Sequence, residues 1–171
     1  MTSQVKDKAL HPNPAWAAQI GHSTLELVTA TALEGDVMDR LLIIERVGRY
    51  GWCFDERNFE LMRDCFTADG VWEGSVMGET NIGPFAGREE VAKWMSGFWP
   101  QQFDQRRHMF TNVIIDDLTQ SSATVHAYLL LAKTADRKLD MVTTGPYRFL
   151  MEKELGVWRI SRLSAGFDAP F

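Results

Sequence analysis

The sequence predicts an α+β domain, and three observations carry that prediction. Helical spacing of apolar residues is concentrated before Gln101. After it come four long runs rich in Val, Ile, Thr and aromatics. The stretches between those runs are too short for parallel crossovers, which need a dozen or more residues, so successive strands should pair antiparallel. A sheet covered on one face by helices can curl its inner side into a cone. The expected architecture is therefore a conical, strongly curved antiparallel sheet wrapped by three or four helices around an apolar pocket.

The helical half opens at Gly35. Asp36 reads as an N-cap, and Val37, Leu41, Ile44, Gly48 and Gly51 follow at steps of three and four, which predicts a helix to about Phe54. A second helix starts near Asn58, with Phe59, Met62, Cys65 and Phe66 on its buried side, and stops before the Asp69-Gly70 turn. Residues Val71–Val76 read as a strand, and Ile82–Ala86, interrupted by Gly83-Pro84, as an irregular edge piece. A third helix spans Arg88 to Trp99 and is stopped by Pro100. The strands expected beyond it are His108–Ile115, Ala123–Lys133, Met141–Lys153 and Val157–Phe167. Residues 1–35 stand apart: Asn13-Pro14 suits a helix start, and Trp16, Ile20 and Leu27 could form one apolar stripe. They are expected to be an arm or lid on the main domain, residues 36–171.

Composition narrows the function classes. The chain has 171 residues, a length that favours one domain, with 45% apolar and 24% charged residues, as in ordinary globular proteins. Eighteen Lys+Arg against 23 Asp+Glu leave a net charge of −5, which argues against a nucleic-acid partner. No apolar run approaches the roughly 20 residues of a membrane span, and the N-terminus lacks a signal-peptide pattern. Two cysteines without a CxxC spacing exclude a disulfide framework and a cysteine-rich zinc site, and the expected location is the cytoplasm. No His, Asp or Glu spacing suggests a metal, and neither phosphate-loop glycine pattern occurs, so no cofactor is expected.

Strand parity proposes which side chains meet in the cone. His108, Phe110, Asn112 and Ile114 share one face of the first long strand, and Trp158, Ile160, Arg162 and Ser164 share one face of the last. An inward Arg162 would call for an anionic partner or ligand. His126 alternates with an apolar set and is expected on the outer face of the sheet, at solvent or at a subunit contact.

The stretch Tyr50-Gly-Trp-Cys-Phe-Asp55, then LMRDCFTADGVW over 61–72, Gly87-Arg-Glu-Glu-Val91, His108-Met-Phe-Thr-Asn112, Gly145-Pro-Tyr147 and Val157-Trp-Arg-Ile160 resembles the SnoaL-like branch of the nuclear transport factor 2-like superfamily. The resemblance covers about residues 36–165. It implies the same curved sheet wrapped by helices, and similarity to scytalone dehydratase, bile-acid dehydratase and dehydrochlorinase enzymes. Several of those lyases use an Asp–His pair, with a Tyr five residues before the Asp in the dehydratases. Asp55, His108 and Tyr50 match those positions. Homodimers through the outer sheet face are frequent among the similar proteins. One departure matters: where bile-acid dehydratases carry a further acid on the strand after the His, this chain reads Val125-His-Ala-Tyr-Leu-Leu-Leu131.

The pair also makes sense chemically. Imidazole titrates near neutral pH and can accept a proton from carbon, while a buried carboxylate on its other nitrogen fixes the tautomer. A tyrosine hydroxyl can stabilise a developing enolate or assist a leaving group. Each residue has an ordinary structural use as well. Asp55 could cap the helix near Asn58, His108 could be a satisfied histidine, and Tyr50 could be core. The leading expectation is a cofactor-independent lyase, a dehydratase or related β-eliminating enzyme, acting on a hydrophobic cyclic small molecule. Its base would be His108, oriented by Asp55 and assisted by Tyr50. Expected pocket residues are Trp72, Trp94, Phe98, Trp99, Phe103, Phe110, Asn112, Trp158 and Arg162. The alternatives are an isomerase or cyclase using the same base, and a non-catalytic binding protein of the oxygenase small-subunit type.

Overall fold

A computed structural model describes residues 36–171, so the arm expected over residues 1–35 lies outside the described residues. The element order is α1 (Asp36–Asp55), α2 (Phe59–Cys65), β1 (Phe66–Val76), β2 (Thr80–Ala86), α3 (Arg88–Ser96), a 3-10 turn (Trp99–Gln101), β3 (Gln105–Asp116), β4 (Ser122–Ala135), β5 (Lys138–Glu154) and β6 (Val157–Phe167). Six strands form one sheet in the order β2-β1-β6-β5-β4-β3. The two edges, β2 and β3, do not meet, so the sheet curves without closing. The expected α+β cone is borne out. One pairing differs from a pure antiparallel meander: β1 runs parallel to β6, because the final strand inserts between β1 and β5.

Local chemistry explains the boundaries. Asn58 caps α2 by accepting from the Leu61 N–H at 2.9 Å, so capping is not the role of Asp55. Helix α3 stops at Gly97, short of the expected Trp99, and Pro100 sits in the following 3-10 turn. Strand β3 begins three residues before His108. Within α1 the buried side is Ile43, Val47, Tyr50, Cys53 and Phe54, whereas Val37, Leu41 and Ile44 are exposed. This helix is apolar on two faces, so periodicity alone could not choose the inner one.

Among the register shifts of the sheet, those in β3 and β6 decide which face the expected site residues take. In β3, three steps from Thr111 to Ile114 oppose two steps from Tyr128 to His126, and Asn112 adopts a left-handed φ of 52° in that bulge. In β6, Ile160 to Arg162 opposes the single step from Met151 to Leu150. Each extra residue reverses the parity of the strand beyond it. At Gly145 a Cβ would lie 2.1 Å from the Gly166 carbonyl oxygen, which explains the glycine before Pro146 in the closing strands.

The core fills the space between α1–α3 and the inner sheet face, with Trp72, Phe66, Phe149, Met62, Leu129, Met151, Ile160 and Leu163 fully buried. Cys53 and Cys65 are free and buried there. At the opposite end, Asp39 accepts from Lys153 Nζ (2.7 Å) and Trp158 Nε1 (2.9 Å), fastening the start of α1 to β5 and β6.

Candidate active site

The last turn of α1 and the lead-in to β3 are stitched together by three consecutive residues. Asp55 receives the His108 backbone N–H on Oδ2 at 2.8 Å, while its Oδ1 lies 2.6 Å from His108 Nδ1. Glu56 pairs with Arg107 at 3.3 Å. Arg57 donates to the Gln102 carbonyl at 2.6 Å. Gly51 lets the two elements approach, since a Cβ there would sit 3.2 Å from both the Cβ and the carbonyl oxygen of His108. The Asp55 and His108 side chains are only 6% and 9% exposed. A carboxylate can only accept, so the arrangement places a ring proton on Nδ1, and in the neutral imidazole Nε2 keeps its lone pair. Phe54 packs edge-on against the imidazole at 4.9 Å and restrains its rotation.

His108 lines a cavity of about 230 Å³. Its walls are mostly aromatic: Phe54, Trp72, Trp94, Phe98, Phe167 and Phe171. Trp72 and Trp94 lie 4.3 Å apart, and Trp94 stacks on Phe85 at 4.3 Å. Two phenols, Tyr50 and Tyr147, also reach the cavity. Tyr50 accepts a hydrogen bond from Trp72 Nε1 at 3.0 Å, which directs its own hydrogen elsewhere. The Met95 thioether, 4.0 Å away, is a weak acceptor for that hydrogen. Burial, and secondarily the nearby Tyr147, pushes the Tyr50 phenol well above its ordinary range, and burial does the same to Tyr147. Both are therefore neutral hydrogen-bond donors at physiological pH.

Asp55 thus pairs with His108, and Tyr50, Trp72, Trp94 and Phe98 line the same cavity as His108. Phe110 contacts Tyr50, Tyr147 and Phe149 at 6.0, 5.3 and 5.7 Å, supporting the phenols from the side. Trp99 packs edge-on against Phe54 at 6.2 Å. Neither Phe110 nor Trp99 lines the cavity itself, and four more expected pocket residues lie farther off. Phe103 is 94% exposed, because the chain between the 3-10 turn and β3 has left the sheet. Asn112 is exposed in the β3 bulge, where its left-handed backbone breaks the parity it shared with His108. Arg162 is turned to the outer face by the β6 bulge and pairs with Glu73 at 2.7 Å. Trp158 lies at the Asp39 end, lining a separate cavity with Leu42, Arg46 and Asp64. His126 takes the expected outer face by register, yet it is buried there, 3.9 Å from Asp116, and burial lowers its pKa.

Several lining residues were not anticipated: Phe54, Met95, Gln101, Gln102, Arg106, Leu131, Tyr147, Phe167 and Phe171. Signals existed for three of them. Arg106 shares the parity of His108 and Phe110, two residues outside the strand start assigned from sequence. Phe54 adjoins Asp55, and Tyr147 closes the Gly145-Pro-Tyr147 segment. The remainder are brought in by curvature. No cluster of three or more His, Cys, Asp or Glu able to hold a metal occurs among the described residues. Nor, among them, is any helix long and apolar enough to cross a membrane.

Comparison with known proteins fits this geometry. The profile of the SnoaL-like domain matches residues 36–164. A protein from Catenulispora acidiphila, solved in complex with S-DNPA, is 26% identical, with a TM-score of 0.66 over 77% of this chain and 94% of its own. Rv3472 from Mycobacterium tuberculosis, described as of unknown function, is 19% identical, with a TM-score of 0.67 over 80% and 75%. A Novosphingobium aromaticivorans protein, named provisionally as the beta subunit of an aromatic-ring-hydroxylating dioxygenase, is 16% identical, with a TM-score of 0.66 over 79% and 92%. The last two likenesses concern fold alone. A search of curated proteins finds no match.

Proposed function

The chain belongs to the SnoaL-like family, and we propose that within it this protein is a cofactor-independent lyase acting on a hydrophobic ring-containing small molecule. The observation that carries the reading is His108, held through both ring and backbone by one carboxylate, opening onto an aromatic cavity beside a neutral tyrosine. Nε2 of His108 takes a proton from a ring carbon. The C–H electron pair becomes the second bond of a C=C, and the group on the neighbouring carbon departs with its bonding pair. Asp55 stabilises the imidazolium that forms. Tyr50 donates to the oxygen on which charge develops, in a cavity where aromatic walls keep water from screening that bond. When the departing group is hydroxide, the imidazolium returns the proton to it, water leaves and the site is reset.

A second reading has its own support in the cavity lining, where the described residues include no carboxylate able to act as a separate acid. If His108 returns the proton to another ligand atom instead, the same base gives an isomerase. Product mass separates the two. The protein is incubated with terpenoid, steroid and aromatic polyketide compounds and the mixture is read by mass spectrometry, with His108→Ala alongside. Loss of water or halide that vanishes in His108→Ala supports the lyase, whereas an isobaric product supports the isomerase. Turnover that persists in His108→Ala refutes both.

A further inference from the structure

We propose that Arg106 is a specificity-determining residue of this cavity and that the ring compound bound there carries a planar anionic oxygen group, of the carboxylate kind. The inference rests on the reading of the cavity as a small-molecule site, but not on the lyase chemistry. Arg106 lies two residues before His108 on the same face of β3, and both line the cavity. Its side chain is 16% exposed, with Asp104 at 14% as its ion-pair partner.

The manner of that pairing matters. Asp104 Oδ1 takes Nε of Arg106 at 3.2 Å, a single bond and not the two-pronged match that carboxylate and guanidinium can make. The two Nη amines are left without a hydrogen-bond partner among the described residues. They form the part of the fork that recognises planar oxygen pairs. The partner is itself fixed, because Arg57 reaches over the exposed edge to the carbonyls of Gln102 (2.6 Å) and Asp104 (3.4 Å). Gln101 and Gln102 line the cavity alongside and add neutral donors. The aromatic walls, Phe54, Trp94 and Phe98, offer no charge, so the attraction to an anion is screened less than in open water. Among the described residues, no acidic one lines the cavity to oppose an anion. A ligand bridging the site would thus sit with its anionic end on Arg106 and its ring carbon against the base two residues further along the strand.

Ligand-observed NMR with 2-naphthoate and its neutral isostere 2-naphthamide at pH 7 tests this in the full-length protein. The expected result is at least tenfold tighter binding of 2-naphthoate. Arg106→Gln brings the ratio to about one while leaving 2-naphthamide affinity within twofold, which also reports that the cavity is intact. Asp104→Asn, which removes the competing carboxylate, raises the ratio, a change of opposite sign that a purely structural role would not produce. His108→Ala keeps the ratio, so the anion preference and the lyase reading fail separately. A ratio near one in the unaltered protein, or one that survives Arg106→Gln, overturns the proposal.

Discussion

Asp55 holds His108 at two points, its ring through Nδ1 at 2.6 Å and its backbone N–H at 2.8 Å, so one carboxylate sets both the tautomer of the imidazole and the register of the strand that carries it. Replacing it with Asn keeps the shape and an acceptor for the backbone N–H but removes the charge that stabilises an imidazolium. Turnover in Asp55→Asn should fall by about 10²–10⁴-fold, with KM changed by less than about threefold. Asp55→Ala should in addition lose about 1–3 kcal/mol of stability, because the half-buried donor of His108 is left unsatisfied. Steady-state kinetics and urea unfolding of the two variants separate the chemical from the structural effect.

Tyr50→Phe removes an acceptor as well as a donor. The buried Trp72 Nε1 loses its partner at 3.0 Å, which should cost about 1–3 kcal/mol in chemical denaturation. The lost donor should lower kcat by about 10²-fold. Full activity in this variant would remove Tyr50 from the mechanism.

Alkaline stability has a definite sign. Burial raises the phenols of Tyr50 and Tyr147 above the ordinary value of 10.0, so above that pH the unfolded chain gives up these protons before the folded one does. Their contribution is whole below about pH 10 and is lost as pH rises beyond it. Urea midpoints at pH 8 and pH 11 should differ more for the unaltered protein than for the Tyr50→Phe/Tyr147→Phe double variant. Equal differences would mean that neither phenol is buried in solution.

Gly51→Ala sets two effects against each other. Alanine favours a helix over glycine by about 1 kcal/mol. The new Cβ, however, would stand 3.2 Å from the Cβ and carbonyl oxygen of His108 and 3.3 Å from Phe110, pressing β3 away from α1. Displacing the base by a fraction of an ångström harms chemistry more than folding. The expected outcome is a kcat/KM about tenfold lower or worse with Tm moved by less than about 5 °C, checked by kinetics and thermal melts.

The residues that meet at the dyad were legible because they sit where local patterns are strong: the end of a long helix, a capped turn and the regular first half of a strand. Period-2 reasoning then failed at the bulges of β3 and β6. Asn112 and Arg162 were both assigned inward by alternation, and each lies in or just beyond an inserted residue that reverses the face. Trp158 has the inward parity expected of it, yet it sits at the far end of β6 against Asp39, a distance along the strand that alternation does not encode. The buried face of α1 was hidden for another reason. Val37, Leu41 and Ile44 repeat as regularly as Ile43, Val47 and Tyr50, and only the sheet they pack against distinguishes the two stripes.

The central claim is that His108 removes a proton from carbon. It is tested most directly by following deuterium incorporation into 2-tetralone, a ring ketone with acidic carbons beside the carbonyl, in D2O at neutral pH by mass spectrometry. The account predicts protein-catalysed exchange that falls to the background rate in His108→Ala and is strongly reduced in Asp55→Asn. Exchange at an undiminished rate in His108→Ala would contradict it.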